Sequence, residues 1–219
     1  KPKAHHPDSI LWRSSYSPLN SKADILGRQA KYWGQKGVHY HQFLESGDNT
    51  LNLQLASELY RDSIINGGFD PETWLKRYAH VMLTPDWHLD TYAEEYHRAF
   101  FTNYAKGKPL QSCGIPDYHI GGLSCIPALL AAMEAIDQIE PSEQLANVLS
   151  LVSLTHNHEN TLRSATDLTR ILHRLINGDS IRHTLKTMPI PGVSIRLLEK
   201  WENMDDRDVV GNILSTACY

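Results

Sequence analysis

The chain has little of what assigns a protein quickly. Three cysteines, Cys113, Cys125 and Cys218, stand far apart with no Cys-x-x-Cys spacing. An odd, sparse set argues against a disulfide framework or a thiolate zinc centre and fits a reducing compartment. Basic residues are not in excess: the formal net charge is −4, which speaks against bulk nucleic-acid binding. No apolar run reaches the length of a bilayer span. The polar opening Lys1-Pro2-Lys3-Ala4-His5-His6-Pro7 carries no signal-peptide pattern. These features read as a cytoplasmic protein without a membrane segment. No useful stretch alternates with period two, and no low-complexity segment or fixed-period repeat occurs.

What is present is helical. The 219 residues, 41% hydrophobic and 21% charged, suffice for one sizeable core or two small ones. Residues 1–22, rich in Pro, Ser and His, read as an irregular arm. A short helix is expected over Lys22–Trp33, broken by Gly34-Gln35-Lys36-Gly37. Asp48 reads as the N-cap of a long helix that stops at Asn66-Gly67-Gly68, with Leu51, Leu55, Leu59 and Ile64 on its buried face. Asp70-Pro71-Glu72 opens the next, which ends at Thr84-Pro85-Asp86. Asp90 reads as the cap of a third, with Tyr92, Tyr96, Phe100 and Tyr104 as a core-packing stripe ahead of Gly107. Further helices are expected over Cys125–Asp137 (capped by Ser124), Pro141–Thr155, about 162–175, Ser180–Met188, Ser194–Trp201 and from Asp206 onward. The expectation is a single all-α domain over 1–219, multi-helical rather than a four-helix bundle.

Five groups of residues invite chemistry. Asp48, Asn49 and Thr50 would set three oxygen-bearing side chains at one helix N-terminus. That suits a hard cation such as Mg²⁺, but equally an ordinary capped helix, whose positive end opposes a cation. His156, in Thr155-His156-Asn157-His158, reads either as a ligand contact or as a histidine bonding a helix-end carbonyl. Gly121, Gly122 and Ser124 form either a phosphate cradle or a plain loop, with His119 beside them. Glu45 is a candidate general base if it faces the same site. His39 and His41 have the spacing of a zinc pair but lack a matched third ligand.

Several stretches together resemble the ADP-ribosylglycohydrolase family. Gly47-Asp48-Asn49-Thr50 resembles its first metal motif, Thr-Asp-Asp-Thr, followed at the family's distance by Gly67-Gly68-Phe69-Asp70-Pro71-Glu72 and by Arg77-Tyr78. Leu154-Thr155-His156-Asn157-His158 is similar to its Thr-His segment, and His119-Ile120-Gly121-Gly122-Leu123-Ser124 to its glycine-rich loop. Asp90-Thr91-Tyr92-Ala93-Glu94-Glu95-Tyr96-His97-Arg98 with Asn103-Tyr104 is closest to the branch of the J-type lens crystallins and selenoprotein J. The resemblance covers most of residues 40–178.

It implies an all-α fold, a pair of Mg²⁺ ions and hydrolysis of the glycosidic bond between ADP-ribose and its acceptor. The site it implies uses Asp48, Asn49 and Thr50 for metal, Glu45 with Asp48 in catalysis, and His119, Gly121, Gly122, Ser124 and His156 for substrate. The metal motif is weakened here: Gly47 stands for its first Thr and Asn49 for its second Asp, removing one formal charge. The family's opening helix and its later Gly-Gly-Asp-x-Asp-Thr motif do not occur; Asp205-Asp206-Arg207-Asp208 reads as a helix start. The chain is therefore expected to be part of a longer protein, or one that has lost the metal site. The alternative functions are an inactive, crystallin-like scaffold and an ADP-ribose binder without turnover.

Overall fold

The computed structural model describes residues 11–136 and 139–188. Within them the chain forms α1 (Leu51–Ile65), α2 (Pro71–Leu83), α3 (Glu95–Ala105), α4 (Ile126–Ile136), α5 (Pro141–Ser153), α6 (Glu159–Ile176) and α7 (Ile181–Thr187), with short 3-10 turns between them. Among the described residues there is no β-strand, only an isolated backbone bridge between Ile115 and His156. The all-α expectation holds at that level. No described helix is long and apolar enough to cross a membrane.

Local chemistry sets most helix ends. The Asp70 side chain accepts from the Thr73 N–H at 2.7 Å, and Pro71 occupies the first position of α2, where its missing N–H leaves nothing unpaired. Pro141 opens α5 in the same way. Ser180 caps α7 by accepting from the His183 N–H at 3.2 Å. Past α1, α3 and α6, Gly67, Gly107 and Gly178 take positive φ, the left-handed conformation in which a glycine closes a helix.

Three expectations change. The stretch Lys22–Trp33 is not an α-helix but a 3-10 helix over Gly27–Tyr32, because the Asp24 carboxylate ties the Gly27 N–H at 2.9 Å into a turn. α3 begins at Glu95, five residues beyond Asp90, so Tyr92 precedes it and stacks on Trp33 at 5.3 Å. On α1 the buried row Leu51, Leu55, Leu59 continues to Ser63, whereas Ile64 is 38% exposed. The helices read at 194–201 and from 206 onward lie outside the described residues, as do Asp205–Asp208 and Cys218.

One contiguous apolar core runs from Ile25 and Leu26 to Leu168. α1 packs most extensively on α4, and α5 on α6. Leu59, Phe100, Phe101, Ile126, Leu129 and Met133 are fully buried. The N-terminal segment is irregular but attached. Leu11 is buried and its carbonyl accepts from the Gly34 N–H at 2.8 Å. The Tyr16 hydroxyl donates to the Ala23 carbonyl and accepts from the Ile25 N–H, both at 2.9 Å, and burial pushes its pKa up to about 12. This packing brings Tyr40 and His41 beside the start of α1.

Candidate functional site

The first turn of α1 opens into a cleft of about 540 Å³, and its leading N–H groups need partners from elsewhere. Thr50 is the N-cap by backbone conformation, yet its side chain makes no capping bond. The cap comes from a distant residue. Asp90, 1% exposed, accepts the Leu51 N–H on Oδ2 at 2.5 Å and binds the His41 Nδ1 with Oδ1. A buried carboxylate is tolerable here because both oxygens are engaged and the helix N-terminus favours negative charge.

Asn52, one residue further on, is clamped from two sides. Its amide nitrogen donates to Glu94 Oε1 at 2.9 Å, and its oxygen accepts from the Tyr96 hydroxyl at 3.2 Å. The wall opposite carries Asp117, Tyr118 and His119. His119 is held at both ends: its backbone N–H donates to Asp117 Oδ1 at 2.8 Å, and its ring Nδ1 accepts from the Gly121 backbone N–H at 3.1 Å. Asp90, Glu94, Glu95 and Asp117 make the cleft acidic, and no Lys or Arg is among its lining residues.

Behind the cleft lies a packed aromatic and imidazole layer. The Tyr96 ring sits 4.1 Å from His156 and 4.0 Å from His97. His156, fully buried at the end of α5, bonds Thr155 Oγ1 through Nδ1 at 2.8 Å. Burial, opposed by the Asp117 charge, lowers its pKa to about 4, so the ring is neutral near pH 7. His97 bonds the Tyr78 hydroxyl at 2.6 Å, and burial holds it far below the ordinary imidazole range.

The glycine turn packs on this layer. A Cβ on Gly122 would lie 2.6 Å from the His156 ring, and one on Gly121 would lie 2.9 Å from both Tyr96 and His119. Backbone bonds stitch the preceding loop to the end of α5: Ile115 N–H to the Thr155 carbonyl at 3.2 Å, and Asn157 N–H to the Ile115 carbonyl at 3.0 Å.

The structure thus brings some predicted residues together and leaves others apart. Thr50 and His119 share the cleft. Gly121, Gly122 and Ser124 border a separate space of about 40 Å³ beside Tyr96, His97 and Thr155, room for little more than one water. The turn's N–H groups are already engaged, Gly121 with His119 Nδ1, Gly122 with the His119 carbonyl and Ser124 with the Gly121 carbonyl. Its glycines answer to close packing rather than to an open phosphate cradle. Ser124 turns its hydroxyl back to the Gly121 carbonyl at 2.8 Å instead of capping α4.

Asp48 does not cap α1. The helix starts three residues later, and the Asp48 carboxylate closes a turn on the Glu45 N–H at 2.8 Å, with Gly47 at φ +101° supplying the bend. Asp48, Asn49 and Glu45 are exposed and do not line the cleft. Among the described residues no group of three His, Cys, Asp or Glu side chains is disposed to hold a metal ion. Of Asp48, Asn49 and Thr50, only Thr50 lines the cleft. His39 Nδ1 accepts the His41 backbone N–H at 3.0 Å, and the His41 ring bonds Asp90 through Nδ1. His158 caps α6, accepting from the Asn160 N–H at 3.2 Å.

Asn52, Asp90, Glu94, Asp117 and His41 were not singled out from sequence as substrate-facing residues. Only the cluster Asp90–Glu95, within the stretch most like the crystallin branch, carried a signal. No family model, curated protein or solved structure compared with this chain matches it.

Proposed function

We propose that this chain is an ADP-ribosylglycohydrolase-like protein whose cleft receives the ribose of ADP-ribose or of an ADP-ribosylated group, for hydrolysis of its glycosidic bond. The observation that supports this most is the meeting of the α1 start with the His119 loop at one polar cleft. Those are two of the segments through which the sequence resembles the family, and His156, from a third, seats the loop from behind.

The chemistry of the lining fits a sugar. Ionised carboxylates only accept hydrogen bonds, and ribose hydroxyls donate them. Glu94 and Asp117 flank Asn52 and His119, which can both donate and accept. With no Lys or Arg among the lining residues, a diphosphate finds no counter-charge here, so only the ribose end enters the cleft. The family's magnesium ions would need carboxylates beyond Asp48.

A second reading, binding without turnover, is favoured by one observation: the carboxylate at the metal motif's position is turned toward Glu45. Calorimetric titration with ADP-ribose, in Mg²⁺ and in chelator, followed by a release assay on ADP-ribosylated peptide, tests both. The expected result is one-to-one binding that weakens about tenfold, or ~1.4 kcal/mol, in Asn52→Ala. Binding without release supports the second reading. No heat up to millimolar ADP-ribose overturns both.

A further inference from the structure

Carboxylates crowd the cleft with no Lys or Arg to offset them. Asp90, Glu94, Glu95 and Asp117 are on its lining, together with Tyr40, Tyr92 and Tyr118. Among the described residues no Lys or Arg pairs with any of the four acids. Arg98 is held elsewhere: its guanidinium lies 5.1 Å from the Trp33 ring centre and 5.8 Å from that of Tyr92, and its Nε donates to the Ala93 carbonyl at 3.1 Å. An acidic cavity walled by tyrosines is complementary to a cation, which gains from the carboxylate field and from electron-rich rings. The oxygens already in use narrow the choice of cation. Asp90 has both engaged, Glu94 gives Oε1 to the Asn52 amide, and Asp117 gives Oδ1 to the His119 backbone N–H. A guanidinium pairs best with a carboxylate whose two oxygens are both open. Of the four, among the described residues, only Glu95 has neither oxygen so engaged. A cation without an N–H at its charged atom needs the field alone.

We propose that the group this cleft receives on its ribose is a cationic aromatic nitrogen ring, so that the ligand is an N-ribosylpyridinium. This rests on the ribose-binding reading above and names what the ribose carries. The cavity of about 540 Å³ falls within the ~300–1,000 Å³ of small-molecule sites. The pyridinium brings charge and a flat ring to a lining of tyrosines and carboxylates, and the ribose hydroxyls donate to the carboxylate oxygens still open. Hydrolysis of such a bond needs no proton donor. The water oxygen bonds to the anomeric carbon, the carbon–nitrogen bond breaks, and its electron pair stays on the ring nitrogen, which leaves neutral. The proton lost by the water passes to solvent. In the transition state, positive charge moves from the ring to the anomeric carbon within the same carboxylate field.

One pair of probes separates charge from shape. Nicotinamide riboside is the cation, and its dihydro form carries the same ribose and carboxamide on a neutral ring. Calorimetric titration is expected to show the cation binding about tenfold tighter, the scale of a cation against aromatic rings in a partly dry site. That advantage should shrink between ~50 and ~300 mM salt. Glu94→Gln combined with Glu95→Gln removes two charges and keeps an oxygen to accept from Asn52. The double variant is expected to reduce the advantage to less than about threefold. Its affinity for the neutral riboside should stay at the wild-type value, which a misfolded protein would not show. Nicotinamide release from the wild type, followed by chromatography, measures turnover.

Equal affinity for the two ribosides, preference for the neutral one, or an advantage that survives in the double variant would overturn the cationic ring as the recognised group. Tighter binding of ADP-ribosylarginine than of the matching pyridinium dinucleotide overturns it too, in favour of a guanidinium. Preference for the cation without nicotinamide release upholds the recognised group and overturns its hydrolysis. ADP-ribose binding without binding of either riboside overturns the cationic ring and leaves the ribose reading standing. Absence of binding by ADP-ribose and by both ribosides overturns that reading, and the cationic ring with it.

Discussion

Gly122 lies so close to His156 that a methyl group on it would come within 2.6 Å of the ring's Cγ. The ring has nowhere to go, being fully buried between that backbone and Tyr96.

Gly122→Ala is therefore expected to destabilise the protein by about 1–3 kcal/mol through overpacking. Gly68→Ala meets nothing within 4 Å and needs no unusual backbone, so it is the matched control. Urea midpoints of the two variants check this. Equal stability would mean that the turn and α5 move apart freely.

Asp90 and Asp48 separate a tertiary cap from a local turn. Asp90→Asn replaces charge-assisted bonds to Leu51 and His41 with weaker ones inside a buried site. A loss of about 1–3 kcal/mol is expected, with faster hydrogen exchange at the Leu51 amide. Asp48→Ala removes an exposed bond to Glu45 and should change stability by no more than about 0.5 kcal/mol, leaving α1 intact.

Acid should weaken the fold at the imidazole layer. Burial lowers the folded-state pKa of His156 to about 4, and it lowers His88 and, more strongly, His97. An unfolded imidazole titrates near 6.5. Between those values the unfolded state holds the extra proton, so falling pH favours unfolding. The His156 contribution is fully present above about pH 6.5 and is lost as pH falls toward about 4; for that ring alone it is on the order of 3 kcal/mol. Urea midpoints measured from pH 7.5 to 4 should fall across this window, with a shallower slope in His156→Gln. A flat profile would show that the buried rings gain partners when protonated.

The sequence alone determined most of the described helices, because most of their ends are decided by residues a few positions apart. Asp70-Pro71, Pro141 and Ser180 carry their own start signals, and Gly67, Gly107 and Gly178 their own stops. The apolar row on α1 was legible as far as Leu59 for the same reason. The segment near Gly27 was not, since a side-chain turn outcompeted helix propensity there. Function-bearing geometry was hidden at longer range. Asp90 looks like the cap of the helix that follows it, yet it serves one whose first N–H lies 39 positions earlier. The glycines of the 121–122 turn look like an anion loop until His156 is seen filling the space beside them. Only folding brings those partners together, because each pair lies more than thirty positions apart in the chain.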